Sequence, residues 1–285
     1  MDRDLPVDPR ESEIKRPETA ESGQYREQDH RSRDRIGRPR PSAERPDREY
    51  PLSDPDRQTM AEIGRFRTVS AEDLARTRYN GDAATARRDM GKLASQGLVQ
   101  TRSLWLAKQL DQLEVVTLTR RGKRVLERTG EEGTFYAGFV KPAEMAHDAA
   151  IYKMYQAEAS RIAKQGGEIR RITLDYELKR KVYSPLAKER PGSPEYKKRQ
   201  AEIAAQHGLR VVRGHIQLPD LRIEYRTNNG EIEVRDLELA TGHYRPGQLA
   251  AKAEAGFNFY ANSGDRARLS SVFDDHDIIS EILRL

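Results

Sequence analysis

The run PDLRIEYRTNNGEIEVRDLELA, Pro219 to Ala240, constrains the fold more than any other stretch of this chain. Two segments of alternating apolar and charged residues flank TNNG, whose asparagines and glycine tolerate positive φ, so the run predicts a β-hairpin. Whether its turn centres on Asn228 and Asn229 or on Asn229 and Gly230, Asp220 falls opposite Leu237, Glu238 or Leu239. Two-residue alternation puts Asp236, Glu238 and Ala240 on one face, and Leu237 and Leu239 on the other with Leu221, Ile223 and Tyr225. The result is an acidic patch backed by a core. Closely spaced carboxylates repel unless a cation or proton intervenes, and hard divalent ions take oxygen ligands of this kind. Asp220 and Glu238 are therefore candidate ligands for Mg²⁺, which would activate water and neutralise charge on a phosphodiester.

Around the hairpin the pattern reads as one α+β domain over residues 140–285. Its expected elements are a long helix from Pro142 to Gly166, a strand EIRRITLDYEL and a basic, proline-containing insertion between Lys179 and Ile216 made of a loop plus a helix. The strand LRVVRGHIQ and the hairpin come next. A helix PGQLAAKAEAGFNFYA, a strand RARLSSVF and a closing helix DDHDIISEILRL complete the expectation. Glu158 and Glu177 are further candidates for a third ligand.

Residues 53–135 follow a different plan. Asp54 with Pro55 opens one helix, Ser70 caps a second, and Asp82 starts a third in which Ala86, Met90, Leu93 and Ala94 form one stripe before Gly97. Two strand-like runs, LVQTRSLWL and LEVVTLT, and a short helix RRGKRVLER complete a winged helix-turn-helix. Thr85, Arg87, Arg88 and Lys92 fall off the apolar stripe, where a recognition helix meets base edges and phosphates. Arg120, Arg121, Lys123 and Arg124 lie just after the second strand and suit phosphate contact.

Charge supports that partition. The chain has a formal charge of +5, and 55–130 holds 15 basic against 9 acidic side chains. Residues 1–52 are instead balanced and polar, with 12 basic and 13 acidic side chains up to Tyr50, and read as a disordered arm. Its cluster from His30 to Pro46 is diluted by Asp34 and Glu44. There is no cysteine, so disulfides and thiolate chemistry are excluded. With neither an apolar run of spanning length nor a signal-peptide core, the expectation is a cytoplasmic protein with no membrane partner. The six histidines never approach metal-ligand spacing, and neither GxxxxGK[ST] nor GxSxG occurs.

Several of these strings resemble known families. ATARRDMGKLASQGLV resembles the recognition helix of bacterial winged-helix regulators, and LTRRGKRVLE resembles their exit from the wing. Pro219 and Asp220, followed by an acid on the next strand, resemble the PD-(D/E)xK nuclease superfamily, whose core of helix, three strands, helix and strand the element order suits. That superfamily's lysine belongs two residues after the second acid, where this chain has Ala240. Lys252, on the following helix, is the candidate replacement, because some members carry a migrated lysine there. Together with DLELATGHYRPGQLAAKAEAGFNFY, these features resemble the replication-relaxation family of plasmid and mobile-element proteins over Pro55 to Ala261. The resemblance implies binding to double-stranded DNA, tied to plasmid replication or DNA relaxation and accompanied by replication or mobilisation proteins. Three functions stay open: a non-cutting DNA-binding accessory protein, a Mg²⁺-dependent endonuclease using Asp220, Glu238 and Lys252, and a winged-helix transcriptional regulator.

Overall fold

The computed structural model describes residues 52–106, 111–242, 244–276, 278, 280 and 282–285. The charged arm expected before Leu52 and residues 107–110 lie outside the described residues. The chain divides into two compact units, with the boundary between Tyr152 and Lys153.

In the first unit, α1 (Asp54–Arg65) begins at Ser53, which forms a capping box with Asp56. Strand β1 (Val69–Ser70) leads into α2 (Ala71–Arg78), where the Ser70 hydroxyl accepts from Asp73 N. Helix α3 (Ala83–Ser95) is capped by the Asp82 carboxylate, which accepts from Ala84 N and Thr85 N. It ends where Gly97 takes a φ of +69° and Leu98 N returns to Leu93 O at 2.9 Å, a closure that glycine adopts without a Cβ penalty. Strands β2 (Val99–Leu106) and β3 (Asp111–Leu118) pair antiparallel, and β1 joins the outer side of β3. Helix α4 (Arg120–Arg128) follows directly. Met60, Ile63, Leu74, Leu93, Leu98, Leu118 and Leu126 are fully buried and form the centre of this winged helix.

Helix α5 (Pro142–Lys164) contains the boundary between the units. Its first turns belong with the wing because Met145 and Ala149 are buried against Leu104 and Val115. The division therefore comes later than residue 140.

The second unit is built on a five-stranded sheet. Strands β4 (Glu168–Leu174), β7 (Leu221–Arg226) and β8 (Ile232–Leu239) pair antiparallel. Strands β9 (Asn258–Ala261) and β10 (Ile282–Arg284) then add in parallel, giving the order β10-β9-β8-β7-β4. With α5 ahead of β4 and α8 (Pro246–Glu254) between β8 and β9, the core order is helix, three strands, helix, strand. The fold class is thus α+β, as the sequence implied.

Several element boundaries differ from the sequence reading. Asp175 opens a helix, α6 (Asp175–Leu186), instead of continuing the strand. The stretch read as a loop plus one helix holds α6 and α7 (Pro194–Gln206) on a core of their own made by Val182, Leu186, Tyr196, Ile203, Leu209 and Ile216. LRVVRGHIQ is two short strands, β5 (Val211–Val212) and β6 (His215–Ile216), joined through Arg213 and Gly214 at positive φ. At the C-terminus the expected helix, strand and helix are interrupted and reversed. Gly256, at φ +88°, ends α8, and Phe259, Tyr260 and Ala261 form a strand buried on both faces, which has no alternation to reveal it. RARLSSVF lies in α9 (Ser263–Asp275), burying only Leu269 and Phe273, four residues apart as on a helix face. Ile282 to Arg284 pair with β9 as a strand, because α9 provides the crossover that a parallel pairing needs.

Candidate functional site

Helix α3 of the first unit buries Ala86, Met90 and Leu93 and leaves Arg87, Arg88 and Gly91 exposed on the other side. Of the sequence-predicted contacts, Arg87 and Arg88 point outward; the Arg88 side chain is 73% exposed and 3.4 Å from Asp89. Thr85 is half-buried behind the Asp82 cap. Lys92 is exposed yet committed within the protein, since its Nζ donates to Asp56 Oδ2 at 2.9 Å. Burial pushes the Asp56 carboxyl up, but the hydrogen bonds from Lys92 and Ser53 outweigh it and hold it below its usual value. Asp56 thus anchors the start of α1 to α3, a link that no sequence spacing signals.

The basic residues after β3 occupy the first turns of α4. Thr119 Oγ1 donates to Gly97 O at 2.6 Å, so these residues sit beside the C-terminal end of α3, at the opposite end of the hairpin from its tip. Arg120 and Arg124 are exposed, Arg121 is half-buried, and Lys123 Nζ lies 3.6 Å from Glu127.

In the second unit the hairpin pairs Leu221 with Leu237, and one step further along the same register brings Asp220 beside Glu238. The acidic patch is not a solvated edge. Glu238 is 0% exposed and Asp220 is 9% exposed, because β8 runs under α8 at this end. Asp220 Oδ2 accepts from Leu239 N at 2.9 Å, which ties the first acid to the strand carrying the second. Asp236, further out on the same face as Glu238, is held by Arg222 at 2.7 Å and takes no part.

Lys252 reaches this pair from α8. Its Nζ lies 2.7 Å from Glu238 Oε1 and donates to Leu218 O at 2.9 Å, which fixes the ammonium between the sheet and the chain entering β7. Tyr244 donates its hydroxyl to the same Oε1, while Glu238 Oε2 is buried without a hydrogen-bond partner. Burial, reinforced by the Asp220 charge, pushes the Glu238 carboxyl up to about 7 from an ordinary 4.5; Lys252 and Tyr244 offset only part of this. The Tyr244 hydroxyl is pushed far up by burial and by Glu238, so it stays a donor. Lys179 extends the cluster, 3.0 Å from Asp175 and within the field of Asp220.

Ala240, where the superfamily lysine was expected, is 1% exposed and packs in the core with Leu249, Phe259 and Ala261. The small side chain lets α8 close on the sheet, and that closure delivers Lys252. The sequence reading missed Tyr244, whose only signal is its place between the second acid and the lysine-bearing helix. It also offered Glu158 as a third ligand. Glu158 instead binds Arg235 and Tyr260 on the opposite face of the sheet, with Arg161 at 3.7 Å. Among the described residues no group of three or more His, Cys, Asp or Glu side chains is placed to hold a metal ion. What the residues offer a hard cation is two adjacent carboxylates, one with an unpartnered oxygen on Glu238.

No protein-family model matches this chain, and no curated protein matches it. Among solved structures it is similar to Bacillus subtilis PadR in a crystal structure with operator DNA, at 13% identity and a TM-score of 0.25, covering 56% of this chain and 95% of that one. Among the described residues no helix is long and apolar enough to cross a membrane.

Proposed function

We propose that this protein binds double-stranded DNA through α3 of its winged helix. The observation that carries the reading is the exposed pair Arg87 and Arg88, backed directly by the buried Ala86 and Met90. Exposed guanidiniums on a helix that is rigidly seated from behind suit the major groove or its phosphates. A role as an accessory protein in plasmid or mobile-element replication or DNA relaxation rests on the resemblance carried by the recognition-helix, hairpin and α8 strings. The test is fluorescence anisotropy of a labelled duplex with wild-type protein and with Arg87→Ala/Arg88→Ala. Two lost phosphate contacts should make the dependence of log K on log salt shallower by about 2, with weaker binding at every salt concentration. Unchanged binding by the double variant would refute the role of α3.

A second reading is favoured by the contact between Lys252 and Glu238, which supplies an ammonium where Ala240 cannot. Under it the second unit is a Mg²⁺-dependent endonuclease. Asp220 and Glu238 would hold the ion, which when bound would lower the pKa of a water, and Lys252 would steady negative charge nearby. Nicking of supercoiled DNA with Mg²⁺, lost in Asp220→Ala, together with calorimetric Mg²⁺ binding by the wild type alone, supports it. Intact DNA and no heat of binding would remove it.

A further inference from the structure

Between Lys179 and Ile216 the chain carries ten basic and three acidic side chains, a net of +7 against +5 for the whole protein. This insertion is a folded body with its own core, and its cations stand outside that core. Helix α6 presents Lys179, Arg180 and Tyr183 on its exposed side, and α7 presents Lys197 and Lys198 beside Ala201 and Ala205. Lys179 and Arg199 have carboxylate partners at 3.0 and 3.1 Å. Arg180, Lys188, Arg190, Lys197 and Lys198 form no ion pair among the described residues. Uncompensated cations on one body repel each other, so the arrangement suits a polyanion that neutralises them.

The insertion is also fixed in place. Arg222 of β7 donates to His207 O and to Gly208 O at the end of α7 while holding Asp236 at 2.7 Å, and Arg210 donates to Glu254 O at the end of α8 at 3.2 Å. Gln200 Nε2 bonds Gly214 O at 3.0 Å, locking α7 to the β5-β6 turn. Helix α7 spans about 20 Å, enough to follow several phosphates. Its exposed positions carry Lys197, Lys198 and Arg199 with Glu195, Glu202 and alanines, and no large apolar residue. A membrane-binding helix needs such residues to enter the headgroup boundary.

We propose that the α6–α7 insertion is a second nucleic-acid surface. It takes the phosphate backbone of duplex DNA and holds it on the same rigid sheet as Asp220, Glu238 and Lys252. This surface is separate from α3 and does not depend on it.

The experiment uses the full chain, a labelled duplex and a salt titration, comparing Arg180→Gln/Lys188→Gln/Lys197→Gln/Lys198→Gln with wild type and with Arg87→Ala/Arg88→Ala. The insertion variant should bind about tenfold more weakly at moderate salt, with a slope of log K against log salt shallower by about 2 to 4. In wild-type protein, duplex should protect Lys197 and Lys198 from acetylation, a readout that needs no variant. Loss in the insertion variant with full binding by the α3 variant would uphold this surface and refute the role of α3. Loss only in the α3 variant, with Lys197 and Lys198 unprotected, would overturn the insertion proposal and leave α3 standing. Capture by phosphatidylserine vesicles in place of duplex, abolished in the insertion variant, would overturn it in favour of a membrane surface. A wild-type chain that ignores duplex would overturn both.

Discussion

Lys252 Nζ and Glu238 Oε1 meet at 2.7 Å, although one belongs to a helix and the other to the strand beneath it. The lysine side chain is 15% exposed and the glutamate is fully buried, so the pair lives in a low-dielectric site where neither charge is tolerated alone.

At about pH 9, where Glu238 is ionised beside Lys252, Lys252→Met should destabilise the second unit by about 3 kcal/mol, because it strands a buried carboxylate. Adding Glu238→Gln should recover much of that loss, since the amide needs no counter-charge. Urea denaturation of the two single variants and the double variant measures the coupling; additive losses would show that the contact contributes nothing.

Stability should also depend on pH through Glu238. Its folded-state pKa, near 7, lies above the ordinary 4.5, so between these values the folded chain holds a proton that the unfolded chain has released. The contribution is complete below about 4.5 and is lost as pH rises through about 7, at up to about 1.4 kcal/mol per pH unit. The measurement is the urea midpoint of wild type minus that of Glu238→Gln across this window. A difference that grows with pH would contradict the burial argument.

Ala240→Lys would restore the superfamily lysine in sequence, yet it should damage the protein. Position 240 is 1% exposed against Leu249 and Phe259, so the longer side chain must displace α8 or bury a second ammonium near the first. A loss of about 3 kcal/mol or more is expected, with no gain in DNA cleavage. Thermal melting and a nicking assay on the same preparation read both outcomes.

Gly122 tests the first unit. A Cβ there would lie 1.9 Å from Leu98 O, where α4 crosses the chain leaving α3, and the obstacle is backbone. Gly122→Ala should lower the melting temperature sharply. Gly91→Ala, with nothing within 4 Å, should be neutral or stabilising by up to about 1 kcal/mol, as for alanine in a helix interior.

Local chemistry determined much of this protein from sequence alone. Ser70 and Asp82 each cap the helix expected of them, the first helix opens at Asp54 as expected although Ser53 caps it, the buried stripe Ala86, Met90 and Leu93 follows its spacing, and the alternation around TNNG narrowed the partner of Asp220 to Leu237, Glu238 or Leu239. These features depend on neighbours within a few positions, which is the range over which sequence patterns carry information. Tertiary structure decided what depends on distant partners. It buried both acids, sent Lys92 to Asp56 and Glu158 to the opposite face of the sheet, and made a strand of Asn258 to Ala261, where burial on both sides erases periodicity. Packing against α8 also gave Ala240 to the core and brought Lys252 to Glu238, because the position of an ammonium relative to a carboxylate depends on how a helix lies on a sheet.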